Sequence, residues 1–365
     1  MTIRVPLVEE RDASYDILIG RGLLGELPAL VARHCPAARY AVVADSHVAK
    51  LSGEAVVAAL GGAGRDAELL SFPAGEWNKT RETWAALSDR MLAARFGRDA
   101  AVIALGGGVV GDVAGFLAAT YLRGIPYVQV PTTLLAMIDS SLGGKTGVDV
   151  PAGKNLIGAF HQPRLVVADL DVLATLAPIQ LAAGMAEAVK HGVIADAEYF
   201  AFLERERPAI GARDAAALER VVVRSVEIKA AVVAADERET GRRAVLNFGH
   251  TIGHAVEATY KFEVLHGEAV AIGMACEARV AERVGVAQAG TAARIARVLE
   301  TYGLPLEIPD RAPADDLLAA MRGDKKVQGN QVRFALPRAI GVMHGDGERG
   351  WTVAVGEDVI RDALR

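Results

Sequence analysis

The stretch NFGHTIGHAVE, Asn247 to Glu257, places two histidines four residues apart. On a helix that spacing sets both imidazoles on one face. There they can hold a metal ion together, divide into one ligand and one catalytic group, or pack as core histidines. The same half of the chain offers Glu187 and His191, again four apart, in AAGMAEAVKHG, and His266 at the head of LHGEAVAIG. Three nitrogen or oxygen ligands plus one open position make a catalytic zinc site. A Glu–His–His set drawn from three helices meets that need, but spacing does not choose between it and the two i, i+4 pairs. Three of the eight histidines fall within 17 residues, beside glycines, which weakens the core-packing reading.

A second group of residues suits anions. AVIALGGGVVGD (101–112) reads as a strand, then Gly106, Gly108 and Gly111 in G-x-G-x-x-G spacing, then a helix. Such glycines let main chain approach a pyrophosphate at a helix N-terminus. The motif departs from the ordinary dinucleotide fingerprint in two ways. It lies far from the first βα unit, and the next strand, YVQVPTT, ends in Thr132 and Thr133 with no acid for a ribose. Asp45, ending an earlier strand, and Glu76, in PAGEWNK, are the acidic alternatives. SSLGGKTGVD (140–149) imitates a P-loop but has Asp139 where the first glycine belongs. What remains is Lys145 on a glycine-rich loop, followed by Lys154 and Asn155. The chain has 31 arginines and only 9 lysines, and seven of those lysines (Lys79, Lys145, Lys154, Lys190, Lys229, Lys325, Lys326) sit in these chemistry-bearing segments. Lysine is a compact charge suited to phosphate oxygens.

The elements that must position these groups change character along the chain. Strand-like runs at 15–20, 40–45, 68–72, 101–105, 127–130 and 165–170 alternate with helical stretches such as 80–95, the pattern of a doubly wound parallel sheet. Beyond about residue 178, helical periodicity dominates, at 179–195, 214–235, 249–260, 266–286 and 288–302. Two strand-like runs follow, at 332–341 and 351–356. The reading is an N-terminal α/β nucleotide-type domain over 1–178 and a mostly α-helical C-terminal domain over 179–365.

Bulk composition excludes several classes. The 365 residues suffice for two domains. A net charge of −5 gives no sign of a nucleic-acid partner. Cys35 and Cys276 are too far apart for a metal motif or a disulfide framework. The N-terminus lacks the apolar core of a signal peptide, and no apolar run reaches the roughly 20 residues of a membrane span. A cytoplasmic protein with no membrane contact is expected.

Taken together, residues 106–163, AAGMAEAVKHG, ERETGRRAVLNFGHTIGHAVE, LHGEAVAIGM and DKK (324–326) resemble the 3-dehydroquinate synthases, over most of residues 70–340. The resemblance implies a Rossmann-like N-terminal domain that binds NAD and a metal-binding C-terminal domain, with a divalent metal, zinc or cobalt, held by Glu187, His250 and His266. His254 then faces substrate and His191 is structural. It implies NAD contacts at Asp45, Glu76, Lys79, Gly107, Gly108, Asp112, Thr132, Thr133, Asp139 and Thr175, with Lys145 and Lys154 nearby. Substrate contacts are implied at Asp139, Lys145, Asn155, Lys190, Lys229, Arg243, Asn247, His254 and Lys325 or Lys326. Lys154 matches a lysine near both ligands, Glu239 an acidic pocket group, and Arg123 an arginine that reaches the phosphate, in the other subunit of a homodimer. The implied substrate is a sugar phosphate, 3-deoxy-arabino-heptulosonate 7-phosphate, cyclised in a redox cycle with no net oxidation. A sister sugar-phosphate cyclase, or a metal-dependent alcohol or glycerol dehydrogenase, is the alternative.

Overall fold

Among the described residues, the first half of the chain carries eight strands: β1 (Asp16–Gly20), β2 (Arg39–Asp45), β3 (Asp66–Phe72), β4 (Ala100–Gly106), β5 (Tyr127–Pro131), β6 (Lys145–Val150), β7 (Gly153–Phe160) and β8 (Leu165–Asp169). The computed structural model describes residues 4–5, 12–261, 263–309, 313–323, 331–345, 348 and 350–364. Six strands form one parallel sheet in the order β1-β8-β5-β4-β2-β3. They are the six runs read from the sequence.

Four helices cover the sheet: α1 (Leu23–His34), α2 (Glu54–Gly62), α3 (Arg81–Ala93) and α4 (Gly108–Thr120). Ala101, Ile103 and Leu105 of β4 pack with Leu27, Val31, Val56 and Leu60 of α1 and α2. Ala100, Val102 and Ala104 pack with Leu87, Met91, Val110 and Val113 of α3 and α4. Burial on both faces is why β4 reads as a continuous apolar run. From β2 the chain winds one way to β3, and from β4 the other way to β5 and β8. The carboxyl ends of β2 and β4 therefore flank the switch point, where open α/β sheets bind ligands. This topology accounts for a glycine motif near residue 106, since β1 is the far edge strand.

Residues 145–160 differ from the open loop read in the sequence. Lys145 begins β6, which pairs antiparallel with β7 in a separate hairpin. Lysine, glycine and asparagine break the β-like pattern there, and the two strands are stabilised by pairing with each other and by Val148 and Ala159 packing under α4.

The second half contains α5 (Pro178–Ala195), α6 (Ala197–Arg205), α7 (Ala215–Ala235), α8 (His250–Thr259), α9 (His266–Arg283), α10 (Thr291–Thr301), α11 (Ala314–Gly323) and α12 (Glu357–Ala363). The five expected helices are present within a few residues, while α6, α11 and α12 were not anticipated. The late strand-like runs form only short pairs, β9 (Arg333–Phe334) with β12 (Val353–Ala354) and β10 (Pro337–Ala339) with β11 (Val342–Met343). Val332, Phe334, Leu336 and Val355 bury against Ile252, Ile272 and Val280 of the helices instead of extending a ladder. Among the described residues, no helix is long and apolar enough to cross a membrane.

Three of these helices meet at backbone distance. A Cβ on Gly273 of α9 would lie 1.8 Å from the carbonyl oxygen of Gly249, the residue preceding α8, and one on Gly267 would lie 2.1 Å from the carbonyl oxygen of Ala183 in α5. Neither position has room for a side chain. Gly273→Ala is therefore expected to cost about 1–3 kcal/mol through overpacking, read by denaturant unfolding. A change within about 0.5 kcal/mol, the range of a neutral surface substitution, would contradict this close contact.

Candidate active site

The three helices each bring one ligand-type side chain to a common point. Glu187 comes from the fully buried middle of α5, which begins with a proline at its first turn. His250 opens α8. That helix start is held by Glu277 of α9, whose buried carboxylate accepts from the main-chain N–H groups of Gly249 at 2.7 Å and Ile252 at 3.0 Å. His266 opens α9, where Glu268 reaches back to the N–H of Leu265 in a capping arrangement. The Nε2 atoms of His250 and His266 lie 3.4 and 3.5 Å from Glu187 Oε1. One donor atom from each of the three residues falls within 4.8 Å of the others.

Four observations fit a metal ion there. Each imidazole has its Nδ1 engaged from behind, His250 with the Phe248 carbonyl at 3.2 Å and His266 with Glu257 Oε1 at 3.3 Å, so both Nε2 atoms point inward. Among the described residues, neither Glu187 oxygen accepts a hydrogen bond of ordinary geometry, although the residue is 0% exposed. Burial holds the His250 pKa well below its usual value, which keeps a lone pair available. At His266 burial opposes a positive charge, but Glu257 and Glu187 outweigh it and push the pKa up to about 10. The local field thus favours a cation.

A shell of lysines surrounds this point. Lys190, 1% exposed, pairs with Glu187 one turn away on α5 and stands 3.7 Å from Asp139 Oδ1. Lys229 of α7 donates to Asp139 Oδ1 at 2.6 Å and to the Asp139 carbonyl at 2.7 Å. Burial works against the Asp139 carboxylate, but Lys229 and Lys190 hold its pKa well below the ordinary range. Lys145 at the head of β6 pairs with Glu239, whose other oxygen accepts from Asn247 Nδ2 at 2.8 Å. Lys154 of β7 lies 2.8 Å from Glu257 and 3.1 Å from Glu76. The His254 ring stands 5.3 Å from that of His250 and 6.2 Å from that of His266.

The sheet side supplies the second half of the site. Lys79 is buried and pairs with Asp112 at 2.6 Å, with Glu76 at 4.0 Å. Gly107 precedes α4 and Gly108 begins it, so their N–H groups are at a helix start. Cβ atoms on these glycines would meet Thr133 at 3.2 Å and Ser140 at 3.0 Å. Thr132 N–H bonds the Gly106 carbonyl at 2.9 Å. Asp45 ends β2, where one oxygen accepts from the N–H groups of His47 and Val48.

Other expected residues stand differently. Arg243 is 2% exposed, and its guanidinium binds the main-chain carbonyls of Glu237 and Gly143, pinning the glycine turn ahead of Lys145. Asn155 is exposed with φ +53°, and its N–H donates to Asp149 Oδ1 at 2.8 Å. Arg123 is exposed in the left-handed turn Leu122–Gly124 and makes no ion pair with the cluster among the described residues. Thr175 is exposed, its hydroxyl turned back to the Val172 carbonyl at 3.0 Å. His191 is buried beside Asp139, at 3.9 Å, with its pKa lowered by burial and by Lys190 to about 3. Lys325 and Lys326 lie outside the described residues. The sequence reading assigned no role to Glu257 or Glu277. Glu257 is seven residues after His250, a same-face helical spacing that marks it, whereas nothing in the sequence links Glu277 to the start of α8.

Two family models match the chain, one described as 3-dehydroquinate synthase N-terminal over residues 69–183 and one as 3-dehydroquinate synthase C-terminal over 184–327. A 3-dehydroquinate synthase from Symbiobacterium thermophilum is 51% identical over 98% of this chain and 97% of its own length. One from Caulobacter vibrioides is 50% identical over 100% and 97%. A solved 2-epi-5-epi-valiolone synthase from Streptomyces hygroscopicus with NAD+ and Zn2+ bound superposes with TM-score 0.88 at 33% identity, covering 99% of this chain and 98% of that one. A 2-deoxy-scyllo-inosose synthase complexed with carbaglucose-6-phosphate, NAD+ and Co2+ gives 0.88 at 28%, covering 96% of each chain. A glycerol dehydrogenase from Schizosaccharomyces pombe shares the fold, with TM-score 0.67 at 19% identity over 98% of this chain and 90% of that one.

Truncating His250 removes one of the three converging donors. His250→Ala is expected to be isolated with background metal content and no turnover, as measured by elemental analysis and assay of the same preparation. Metal at the parent's stoichiometry would overturn the ligand set.

Proposed function

The chain belongs to the 3-dehydroquinate synthase family, and from that premise we propose that the charged cleft around Glu187 is where its reaction is carried out. The reaction converts 3-deoxy-D-arabino-heptulosonate 7-phosphate to 3-dehydroquinate and phosphate through transient oxidation, β-elimination of phosphate, reduction, ring opening and intramolecular aldol closure. NAD and a divalent metal are its cofactors. One observation carries the placement: the convergence of Glu187, His250 and His266 inside a ring of lysines.

Glu187, His250 and His266 would hold the metal. Gly107, Gly108, Thr132 and Thr133 would hold NAD at the switch point, with Asp45, Glu76, Lys79, Asp112 and Thr175 around them. Bound, NAD takes up and returns a hydride, and the metal supplies Lewis acidity at the hydroxyl being oxidised.

The protein's own groups do the rest. Glu187 and Asp139 balance Lys190 and Lys229, so a divalent cation leaves this centre net positive, as a substrate bearing carboxylate and phosphate requires. Lys145, Lys154, Asn155 and Asn247 line up charge-assisted and neutral donors for those groups. Arg243 fixes the turn before Lys145, and its Nε, without a hydrogen-bond partner among the described residues, is a further donor for substrate. His254, on the same helix face as His250, orients hydroxyls and moves protons. Asp139, Glu187, Glu239 and Glu257 are each paired with a lysine or histidine, so none is free to serve as a strong base. This supports the substrate's own phosphate oxygen as acceptor of the proton lost in elimination. We place the boundary between the nucleotide-binding and metal-binding domains at residue 178, and assign Arg123 to the phosphate of the neighbouring active site in a homodimer.

Purified protein with NAD+ is expected to release phosphate from the heptulosonate phosphate, to lose that activity on metal stripping, and to yield 3-dehydroquinate with no net NADH. Turnover of sedoheptulose 7-phosphate or glucose 6-phosphate instead would reassign it to a sister cyclase while retaining the cofactor sites. Reactive intermediates require water to be excluded, so the two domains are expected to close on ligand. Small-angle scattering profiles that coincide with and without NAD+ and a substrate analogue would count against closure.

A further inference from the structure

Glu257 lies on α8, two turns beyond His250, and is 1% exposed. Its Oε1 is 3.3 Å from His266 Nδ1 and 2.8 Å from the Lys154 ammonium. Lys154 reaches 3.1 Å to Glu76 on its other side. The opposite nitrogen of the same imidazole, Nε2, faces Glu187 Oε1 at 3.5 Å. The carboxylate therefore stands directly behind one ligand of the metal point and joins that ligand to the hairpin of the α/β half.

We propose that Glu257 is a positioning residue of the metal centre: it orients His266, keeps its proton on Nδ1 and makes Nε2 the stronger donor, while anchoring Lys154 beside the same imidazole. The chemistry is general. A carboxylate on the far nitrogen of a ligating histidine fixes its tautomer and raises its basicity, and its loss weakens metal binding by roughly 10- to 100-fold. The two imidazoles are thereby unequal. Among the described residues His250 is backed by a neutral carbonyl, that of Phe248, and His266 by a full negative charge, that of Glu257. One helix thus supplies a ligand, His250, and the support for another, His266.

The inference rests on the ligand set proposed above, and the experiment separates the two. Metal-free parent, Glu257→Gln and His250→Ala proteins are titrated with Co2+, recording the dissociation constant and the visible absorption of the bound ion, with thermal melting as a check of folding. The expected result is a roughly 10- to 100-fold weaker Co2+ affinity for Glu257→Gln, with shifted absorption bands, in a protein that still melts cooperatively but at a lower temperature because Lys154 loses a charged partner. An affinity within about twofold of the parent and the same bands would overturn the proposal, as would weaker binding with unshifted bands, which is the mark of destabilisation alone. Should Glu257→Gln fail to fold, Glu257→Asp, which keeps the charge but withdraws it by one methylene, is read by the same two criteria. Retention of Co2+ by His250→Ala would instead remove the ligand set itself, and the role of Glu257 with it.

Discussion

At Gly267 and Gly273 the backbone of α9 rests on α5 and on the entry to α8 with no side chain between them. Helices packed through ordinary side chains keep their axes 8–10 Å apart, depending on the residues at the contact, and glycine draws them to the near end of such a range. The consequences are local. His266 adjoins Gly267, Glu187 is one turn beyond Ala183, and His250 adjoins Gly249. Two contacts set by main chain thus help bring three candidate donor atoms within 4.8 Å of one another. Ligand distances in metal sites are sensitive to about 0.2 Å, so a methyl group inserted at either contact would be felt directly at the proposed metal point.

Around that point the protein buries more charge than a core normally carries. Asp112, Lys79, Glu76, Lys154, Glu257, His266, Glu187, Lys190, Asp139 and Lys229 form a nearly continuous line of neighbouring ionisable groups from the glycine loop to α7. Removing one member of a buried pair typically costs 3–5 kcal/mol, because the other charge is stranded. Such a line is a poor source of stability. Its value is that every group is held in a defined place before ligand arrives, which is what transition-state stabilisation by charge requires. The apolar contacts that offset it lie in the helical core around α5, α7 and α9 and in the two layers flanking the sheet. The scarcity of lysine gains a structural reason here, since five of the seven lysines singled out in the sequence pair within this site.

The α/β half contributes through topology. The glycine loop and Asp45 meet because the strand order reverses between β2 and β4, and the hairpin β6–β7 carries Lys145 and Lys154 toward groups of the helical half. Each half is incomplete alone. Among the described residues, the sheet side supplies glycines at a helix start, while the helices supply the candidate metal ligands Glu187, His250 and His266.

How much of this could be read beforehand depends on range. The six sheet strands and the five main helices were legible because their signals are local: continuous apolar runs for strands buried on both faces, and 3.6-residue periodicity for helices. The hairpin was not, because its lysines, glycines and Asn155 resemble a loop until the two strands pair. Candidate ligands were legible as residue types and spacings, and likeness to a known family selected Glu187, His250 and His266 from them. What the sequence by itself determined is the inventory: which side chains exist, on which local elements, and which family they resemble. Tertiary structure alone decided that Glu257 stands behind His266, that Glu277 of α9 holds the start of α8, and that Arg243 is occupied by main chain. Those relations join residues as far as a hundred positions apart through helix crossings and loop contacts, and no periodicity along one chain encodes a crossing.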